Sequence, residues 1–402
     1  MPSFVKHTLV LALAGLLGMG IYSTPLNADT NPLQQGGSAS GSRVVIAAIG
    51  DIMMPGSLQN AVAKSKYNYD LLFEKIAPDL RTADITFANL ETPIDHTAAV
   101  SGYPKFNARP ELLASLRKAG VKVVSVANNH AMDAKVPGLK RTLDNLDAAG
   151  LLFIGAGRTK AEAGRVVQTT VRGITIAWLA YTYSTNERLP KNAKEQPGVN
   201  ILRADSAADL AGAVDAVRKA RLSADLVAVS LHWSDEYRSA PTPWQKRAAK
   251  ELIEAGADII LGHHPHVLQP IESYAAKDGR QGLIAYSLGN FISSQNAGIT
   301  NLNRSSARAR RGDGVILNIH ALKENGTTVI ERAEFVPIWT LRERVGKTSL
   351  SRPVNLAREL IRIEALKKRT KEEENMRLLL GFRKKVIIDQ LTVLVSDKEM
   401  TK

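Results

Sequence analysis

The chain has 402 residues, of which 44% are hydrophobic and 23% are charged, so it can bury a sizeable core as one large domain or two smaller ones. This composition excludes a wholly disordered chain and a peptide-sized binder. The formal net charge of +14 favours polyanionic partners. Aromatic residues make up only 5% and are not interleaved with basic ones, so we expect no nucleic acid partner. The chain has no cysteine, which excludes thiolate metal sites and leaves His, Asp, Glu and Asn as ligands.

The first 28 residues have the pattern of a secretory signal peptide. Lys6 precedes an apolar run over residues 9–22, which is shorter than the roughly 20 residues that span a bilayer, and Leu26-Asn27-Ala28 offers a cleavage site before Asp29. An uncleaved N-terminal anchor is the alternative. In both cases we expect an exported domain, in a periplasm or on the outer face of the inner membrane. A flexible linker over residues 29–42 joins it to the N-terminal segment.

Apolar segments of strand length alternate with segments of helix length over most of the chain, which predicts an α/β fold with a layered sheet. The predicted strands cover residues 43–49, 85–87, 121–127, 174–180, 226–231, 259–261 and 283–286. The predicted helices cover residues 70–78, 110–119, 137–149, 207–220 and 244–255. We expect the polar stretch 185–200 to form a surface loop.

Polar residues that can bind a metal follow the predicted strands. They are Asp51, Asn89 with Glu91, Asn129 with His130, His232, and His264 with His266. Ligands bind at the carboxyl ends of strands in open α/β sheets, and an extended backbone would place His264 and His266 on the same side. Taken alone, the histidine tract is equally well an exposed turn, and Asp51 is a turn or helix-cap residue. Together these residues predict one metal-binding pocket.

Three further segments lie outside this pattern. Residues 315–320 and 328–336 predict a hairpin that turns near Asn325-Gly326. Residues 341–402 predict a charged, helical and solvated C-terminal tail. The third segment is a solvated loop or the rim of a site for an anionic substrate, and it contains Arg304, Arg308, Arg310 and Arg311.

Six sequence motifs stand in a recognisable order. They are Gly50-Asp51-Ile52-Met53, Asn89-Leu90-Glu91-Thr92, Ala127-Asn128-Asn129-His130, His232-Trp233, Gly262-His263-His264-Pro265-His266-Val267 and Ser287-Leu288-Gly289-Asn290-Phe291. With these motifs, over about residues 43–340, the chain resembles the bacterial CapA capsule-synthesis family, which is associated with poly-γ-glutamate biosynthesis. CapA-like domains are similar in turn to the calcineurin-like metallophosphoesterases. The resemblance implies a four-layered α/β/β/α sandwich, here with a C-terminal helical extension.

The resemblance also implies a role for each residue at a motif position. The implied metal ligands are Asp51, Glu91, Asn129, His232, His264 and His266, the implied catalytic residue is His130, and the implied substrate-binding residues are Asn89 and Asn290. The chain departs from the superfamily pattern at Met53, where a histidine is expected, and a thioether is a poor ligand for hard divalent ions. Because of Met53 we expect one or two ions, with one bound tightly and any second bound more weakly. Imidazole, carboxylate and amide donors suit Mn, Zn or Fe. His263 has no implied role.

Two functions follow from this resemblance. The first is a metal-dependent hydrolase of the phosphoesterase type, which acts on a phosphoester or at an amide of an acidic polymer such as poly-γ-glutamate. The second is a non-catalytic subunit that binds the polymer or helps to assemble a membrane-associated biosynthesis complex. His130 favours the enzyme, because a structural metal site needs no unligated imidazole. Met53 favours the non-catalytic subunit.

Overall fold

The computed structural model describes residues 22–25, 41–189, 197–346 and 348–392. Most of the predicted signal peptide, residues 1–28, and of the predicted linker, residues 29–42, therefore lies outside the described residues. In the part of the chain that is described, no helix has both the length and the apolar character that crossing a membrane requires.

The strands and helices of these ranges alternate along the chain. The strands are β1 (Tyr22–Pro25), β2 (Ser42–Ile52), β3 (Ile85–Leu90), β4 (Val121–Ser125), β5 (Leu152–Ile154), β6 (Ala156–Gly157), β7 (Val167–Val171), β8 (Ile174–Thr182), β9 (Gly198–Val199), β10 (Leu226–His232), β11 (Ile259–His263), β12 (Ile271–Ala275), β13 (Gln281–Ala285), β14 (Asn290–Ile292), β15 (Asp313–Glu324), β16 (Thr327–Val345) and β17 (Thr348–Asn355). The helices are α1 (Gly56–Ala63), α2 (Asp70–Phe73), α3 (Ala77–Leu80), α4 (Glu111–Ala119), α5 (Lys135–Ala149), α6 (Lys160–Ala163), α7 (Ala207–Arg221), α8 (Pro243–Glu254), α9 (Leu356–Glu364) and α10 (Lys371–Thr392), with short 3-10 helices at Asn301–Asn303 and Ala307–Gly312.

Within the described residues the strands form two large sheets and one small ribbon of β6 and β9. The larger sheet has the order β1-β16-β15-β2-β3-β4-β5, with β14 beside β2 and β17 beside β16. The smaller sheet has the order β12-β13-β11-β10-β8-β7. Strands β2 to β5 are parallel neighbours in the larger sheet, and β8, β10, β11 and β13 are parallel neighbours in the smaller one. Each sheet therefore has one end at which several strand C-termini meet.

The two sheets pack face to face, and helices cover their outer faces. Phe87 of β3 stacks on Trp178 of β8 with ring centroids 5.6 Å apart, which joins the sheets across a shared core. Because side chains alternate along a strand, β10 directs Val227 toward the helices α7 and α8 and its neighbour Leu226 toward the shared core. Helices α4 and α5 pack on β4 and β5. The predicted four-layered α/β/β/α sandwich is thus confirmed.

Local sequence signals explain several element ends. Helix α8 begins at a capping box, in which Thr242 Oγ1 accepts a bond from Gln245 N and Gln245 Oε1 accepts one from Thr242 N. The predicted hairpin is confirmed, and Asn325 and Gly326 have the positive φ values, 51° and 79°, that a two-residue type I′ turn requires. The predicted helix over residues 70–78 is wrong, because the chain there forms the two short helices α2 and α3.

The C-terminal segment is packed onto the sandwich, which corrects the expectation of a solvated tail. Strand β16 runs through the predicted boundary between residues 340 and 341, and β17 pairs with it. Helix α10 contributes Leu380 and Ile387 to the core. On the same helix Arg383 is buried and forms an ion pair with Asp313 of β15. The high charge of the segment conceals this packing, because its buried partners lie far away in the sequence.

Candidate metal centre

The residues that follow the parallel strands of both sheets meet in one cluster. The larger sheet and its connections contribute Asp51, Asn89, Glu91, Asn129 and His130, and the smaller sheet contributes His232, His263, His264 and His266. None of these residues is more than 5% exposed. The structure therefore brings together the residues that follow the predicted strands. They lie where the carboxyl ends of the parallel strands of both sheets meet.

Asp51 lies at the centre of this cluster. Gly50 precedes it and lets the chain before β14 approach, since a Cβ on Gly50 would lie 1.9 Å from the carbonyl oxygen of Gly289. The Asp51 carboxylate lies 3.1 Å from His263 Nδ1 and 3.0 Å from His266 Nδ1. Burial alone would raise the pKa of Asp51, but the hydrogen bonds with the two histidines hold that pKa well below its ordinary value. Asp51 is therefore negatively charged at neutral pH.

Two buried asparagines hold the carboxylates in place. Asn89 Nδ2 donates to Asp51 Oδ1 at 2.8 Å and lies 3.4 Å from Glu91 Oε2. Asn128 Nδ2 donates to the carbonyl oxygen of Leu90 at 2.8 Å and lies 3.3 Å from Asn89 Oδ1, which ties the turn after β4 to the end of β3. Both side chains are fully buried. These contacts give Asn89 a positioning role, and direct contact of Asn89 with a substrate stays a prediction.

Glu91 provides a carboxylate oxygen with an open position. Its Oε1 is buried and has no hydrogen-bond partner among the described residues, although His232 Nε2 lies 3.5 Å away and His266 Nε2 lies 3.7 Å away. Burial, and then the charge of Asp51, raise the pKa of Glu91 well above its ordinary value. A buried carboxylate beside a second one costs free energy unless a cation compensates it.

Three histidines of the smaller sheet face these carboxylates. His232 ends β10, whereas His264 and His266 follow β11 with φ values of 91° and 54°, a left-handed conformation that is strained for residues other than glycine. This tight turn corrects the expectation of an extended backbone, but both rings still reach Glu91. Burial and then His264 lower the pKa of His232 well below its ordinary value, and burial and then His266 lower the pKa of His264 to about 3. Both rings are neutral at pH 7, as metal binding requires.

The donor atoms of this cluster fit a divalent cation. Two sets of three groups have donor atoms within 4.8 Å of one another, Glu91 with His264 and His266, and Asp51 with Glu91 and His232. Glu91 belongs to both sets, so the arrangement fits one ion or two ions with a shared carboxylate. Besides Glu91 Oε1, the buried His263 Nε2 and His264 Nδ1 have no hydrogen-bond partner in the described chain. Such orphaned groups are rare in folded proteins unless a ligand satisfies them, and this mixture of donors suits Mn, Zn or Fe.

His130 lies beside the cluster on the turn after β4. Its Nδ1 is 2.6 Å from Asp133 Oδ2, which also accepts a hydrogen bond from Phe106 N at 2.8 Å. The ring of Phe106 packs against the imidazole in a T-shaped contact with centroids 4.6 Å apart. Asn186 Nδ2 lies 3.3 Å from the same Nδ1, and Asn186 N donates to the carbonyl oxygen of Asn129. These contacts occupy Nδ1 and leave Nε2 as the nitrogen that can exchange a proton with a ligand.

Two more of the predicted asparagines lie in this region. Asn129 Oδ1 is 3.0 Å from His232 Nε2, so its amide oxygen points into the cluster as a ligand would. Asn290 is fully buried, and its Nδ2 donates to the carbonyl oxygens of His266 at 3.2 Å and of Arg311 at 2.9 Å. Asn290 Nδ2 thus holds the histidine turn against its neighbours. Its Oδ1 has no hydrogen-bond partner among the described residues, and direct contact with a substrate stays a prediction.

The sequence pattern missed several residues of the site. Asp133 stands three residues after His130, and this short spacing is the signal that could have identified it. Asn186 lies in the polar stretch that was expected to form a surface loop, and its contact with the histidine spans 56 positions, so no local pattern reveals it. His263, which had no implied role, lies fully buried against Asp51 and helps to keep that carboxylate charged.

The four arginines over residues 304–311 do not form one patch. Arg311, whose backbone contacts the site, stacks its guanidinium on the ring of Tyr237 at 3.6 Å. Arg308 and Arg310 are exposed on the adjoining 3-10 helix. Arg304 packs instead on helix α10. One arginine therefore borders the site, two are available to an anionic partner, and one supports the C-terminal helix.

The fold and the site together define a metallophosphoesterase-like protein, in which the loops at the carboxyl ends of two stacked sheets carry carboxylate, amide and imidazole groups. The sequence model of the family described as "Bacterial capsule synthesis protein PGA_cap" matches residues 45–295. The chain belongs to this family.

Named relatives and a solved structure are similar to this chain. The "Capsule biosynthesis protein CapA" of Bacillus anthracis is 32% identical over 295 residues, which cover 72% of this chain and 66% of that protein. The "PGA biosynthesis protein CapA" of Bacillus subtilis (strain 168) is 34% identical over 294 residues, which cover 72% of this chain and 70% of that protein. The structure of the calcineurin-like phosphoesterase YfkN from Bacillus subtilis aligns with 12% identity and a TM-score of 0.41, over 86% of this chain and 99% of that one. The sheet order and the four layers define the fold of this chain.

Proposed function

We propose that this protein is a metal-dependent phosphoester hydrolase that acts outside the cytoplasm in the synthesis of an anionic polymer of the capsule or poly-γ-glutamate type. The observation that carries the proposal is the buried Glu91 Oε1, which has no hydrogen-bond partner in the described chain and faces His232 and His266. Membership of the family supports the polymer. The N-terminal sequence supports export.

Two ligand sets would hold the metal. Glu91, His264 and His266 would hold one ion, and Glu91 would be shared with a second set that contains Asp51, His232 and Asn129. The second set has Met53 where the superfamily has a histidine, so we expect its ion to bind more weakly. When bound, a divalent ion supplies Lewis-acid polarisation of a phosphoryl oxygen.

His130 would act as the general acid. Asp133 Oδ2 accepts the hydrogen bond of Nδ1–H and so keeps the proton on that nitrogen. As a water oxygen bonds to phosphorus and the ester P–O bond breaks, the opposite nitrogen, Nε2, gives its proton to the departing ester oxygen, which leaves as an alcohol. Phe106 restricts the imidazole to one orientation. Proton transfer from a positioned side chain of this kind contributes about 100- to 10,000-fold to the rate.

Metal content and turnover, measured on the same preparations, test the proposal. We would purify the protein without a histidine tag, measure Mn, Zn and Fe by plasma mass spectrometry, and assay phosphomonoesters and phosphodiesters with added Mn. His266→Ala is expected to lose both metal and turnover. His130→Ala is expected to keep its metal and to lose about 100-fold or more of kcat. His96→Ala is the matched control, because His96 is an exposed histidine outside the cluster.

Two results would contradict the role assignments. Equal loss of metal in His130→Ala and His266→Ala would make His130 a ligand rather than an acid. Bound metal without hydrolysis of any phosphoester would instead support the non-catalytic polymer-binding subunit, which the replacement of a histidine ligand by Met53 favours.

Export is tested at the N-terminus. Cleavage of a signal peptide would leave a mature chain that begins near Asp29, and N-terminal sequencing of protein from the envelope fraction would detect it. An intact Met1 in a membrane-bound protein would support the alternative of an uncleaved anchor.

A further inference from the structure

A cleft of about 430 Å³ opens beside the metal centre, a volume within the range of about 300 to 1,000 Å³ that ligand pockets occupy. We call it the aromatic cleft, and it is lined by Met53, Pro55, Gly56, Ser57, Tyr103, Phe106, Tyr237, Ser293, Ser294 and Gln295. Its walls are shared with the site. Phe106 contacts His130 with centroids 4.6 Å apart, and the Tyr237 ring lies 6.3 Å from the His266 ring. The cleft therefore adjoins the metal centre through Phe106 and Tyr237.

Two tyrosines of the cleft present their rings to solvent. Tyr103 is 80% exposed and Tyr237 is 39% exposed, and both belong to the small group of large hydrophobic side chains that the described chain leaves exposed. Single exposed apolar residues are ordinary on protein surfaces, but two aromatic rings at one cleft beside a catalytic centre mark a binding site.

Tyr237 is held in position at a conformational cost. Its φ of 64° is in the left-handed region, which a bulky residue seldom adopts. Its backbone N donates to the carbonyl oxygen of Pro265 at 2.7 Å, which ties it to the turn that carries the histidine ligands. The guanidinium of Arg311 stacks on its ring at 3.6 Å. The ring is thus part of a built wall rather than a mobile surface side chain.

Tyr103 is placed by the loop between β3 and α4. The preceding Gly102 lies against the start of α1, where a Cβ on Gly102 would be 2.1 Å from the backbone nitrogen of Gly56. The base of the loop is fastened by Asn107, whose Oδ1 accepts a hydrogen bond from Asp95 N at 2.8 Å. The close backbone contact fixes the side of the cleft on which Tyr103 stands.

The chemistry of the lining does not match a polyanion. None of the ten lining residues carries a charge, and at the edge the guanidinium of Arg311 is stacked on the Tyr237 ring. The hydroxyls of Ser57 and Ser294 have only each other as partners among the described residues, at 3.4 Å, which is long for a bond between hydroxyls. They are therefore free to bond a ligand that brings its own hydroxyl groups.

We infer that the aromatic cleft binds a pyranose ring, the sugar of a sugar phosphoester whose phosphate lies at the metal centre. A pyranose has C–H faces that pack on tyrosine and phenylalanine rings, and its equatorial hydroxyls suit serine and glutamine side chains. This inference rests on the proposed function for the place of the phosphate. The recognition of the ring rests on the cleft alone.

Binding of a sugar that has no phosphate tests the cleft independently of turnover. We would measure saturation-transfer NMR from the full chain to methyl α-D-glucopyranoside, for which hydrolysis is not at issue. The signal is expected for the wild type and should fall about fivefold or more in Tyr103→Ala and in Tyr237→Ala. Tyr274→Ala is the matched control and should keep it, because Tyr274 also packs beside a cation, Lys250, but lies on β12 outside the cleft.

The inference is overturned if the wild type gives no saturation transfer at a sugar concentration of about 10 mM. Binding with a Kd above about this value would be too weak to count as recognition. It is also overturned if both cleft variants keep the wild-type signal, or if phenol or tetra-γ-glutamate gives the tyrosine-dependent signal and the sugar does not. A tyrosine-dependent signal from phenol would assign the cleft to an aromatic ring, and one from tetra-γ-glutamate would assign it to the polymer.

A second measurement connects the cleft to catalysis. The ratio of kcat/KM for glucose 1-phosphate to that for glycerol 3-phosphate, which has the same phosphate but no ring, should exceed one in the wild type. In Tyr103→Ala it should fall about fivefold. An unchanged ratio would contradict the inference. If neither ester is hydrolysed with any metal, the proposed function fails, while the NMR result still decides whether the cleft binds a sugar.

Discussion

Asn89 donates to the carboxylates of both Asp51 and Glu91, and all three side chains are fully buried. The surroundings shift the pKa values of Asp51 and Glu91 in opposite directions. Histidine contacts lower the pKa of Asp51 against the effect of burial, whereas burial and the charge of Asp51 raise the pKa of Glu91. A bound metal ion would offset the free-energy cost of two neighbouring buried carboxylates, because its positive charge compensates both. Glu91 is therefore the residue at which metal binding and folding stability are most closely linked.

We predict that Glu91→Gln abolishes the dependence of stability on metal. The substitution removes the shared ligand and also the second buried carboxyl group beside Asp51. A chelator should lower the melting temperature of the wild type by a few degrees, since a ligand at 100 times its Kd contributes about 2.7 kcal/mol, but it should leave that of Glu91→Gln unchanged. Glu236→Gln, which alters an exposed acid nearby, should behave like the wild type. A chelator effect of wild-type size in Glu91→Gln would remove Glu91 from the ligand set.

At the scale of elements, helix α10 combines a charged surface with a buried anchor. Arg383 and Asp313 form an ion pair in which both side chains are almost fully buried, and burial raises the pKa of Asp313 to about 6 in spite of the arginine. The guanidinium also lies 5.5 Å from the Trp339 ring of β16. The ion pair thus attaches the helix to β15, and the contact with Trp339 attaches it to β16.

Removal of this anchor should destabilise the protein strongly. Arg383→Leu leaves Asp313 buried without a counter-charge, and we expect the free energy of unfolding in urea to fall by about 3 to 5 kcal/mol. The double variant Arg383→Leu with Asp313→Asn should recover part of this loss, because it removes the uncompensated charge. Lys385→Leu, on an exposed position of the same helix, should change stability by less than about 0.5 kcal/mol. A typical substitution lowers the free energy of unfolding by about 1 kcal/mol. If Arg383→Leu lowers it by less than that, α10 is a solvated tail.

The loop between β3 and α4 depends on a second ion pair. Arg141 of α5 donates two hydrogen bonds to the Asp95 carboxylate, each 2.6 Å long. The hydrogen bonds with Arg141 outweigh burial and lower the pKa of Asp95 from 3.8 to about 2. Because this loop carries Tyr103 and Phe106, the pair fastens one wall of the aromatic cleft to the helix layer.

The pH dependence of this pair has a definite sign. The folded pKa of Asp95 is below its unfolded value, so its contribution is complete above 3.8 and is lost as the pH falls toward about 2. Arg141→Gln should lower the free energy of unfolding by about 1 to 2 kcal/mol at pH 7. The difference from the wild type should narrow below pH 4, close to the ordinary pKa of about 3.9 for aspartate. Arg247→Gln, at an exposed pair with Glu251, is the control. A difference that stays constant down to pH 3, about one unit below that ordinary pKa, would contradict the assignment.

The sequence predicts the elements of this fold far better than it predicts the contacts between them. A buried strand is a continuous apolar run, so a polar residue at its end, such as His232 of β10, is visible in the local sequence. Tyr103 and Tyr237 are in irregular loops, where no periodicity indicates that the two will line one cleft. The packing of α10 depends on a partner 70 positions away. Contacts of that kind become visible only when the sheets are stacked.

At the scale of the whole molecule, positive charge borders the aromatic cleft but is absent from its lining. The chain has a net charge of +14, yet the cleft lining carries none. Arg308 and Arg310 are exposed on the 3-10 helix at the edge of the cleft, where Arg308 Nε donates to the carbonyl oxygen of Gln295, a lining residue. This arrangement would let one part of the surface attract a polyanion while the cleft selects an uncharged group.

We therefore predict that poly-γ-glutamate binds by screened electrostatic attraction centred on these two arginines. Screening shortens from a Debye length of about 10 Å at 0.1 M salt to about 3 Å at 1 M, so affinity measured by fluorescence anisotropy should fall at least tenfold between those conditions. The double variant Arg308→Gln with Arg310→Gln should bind more weakly at low salt than Lys367→Gln with Lys368→Gln, which removes the same charge from the exposed loop between α9 and α10. An equal loss of affinity in the two double variants would mean that the whole basic surface attracts the polymer. An affinity that does not change with salt concentration would exclude electrostatic attraction.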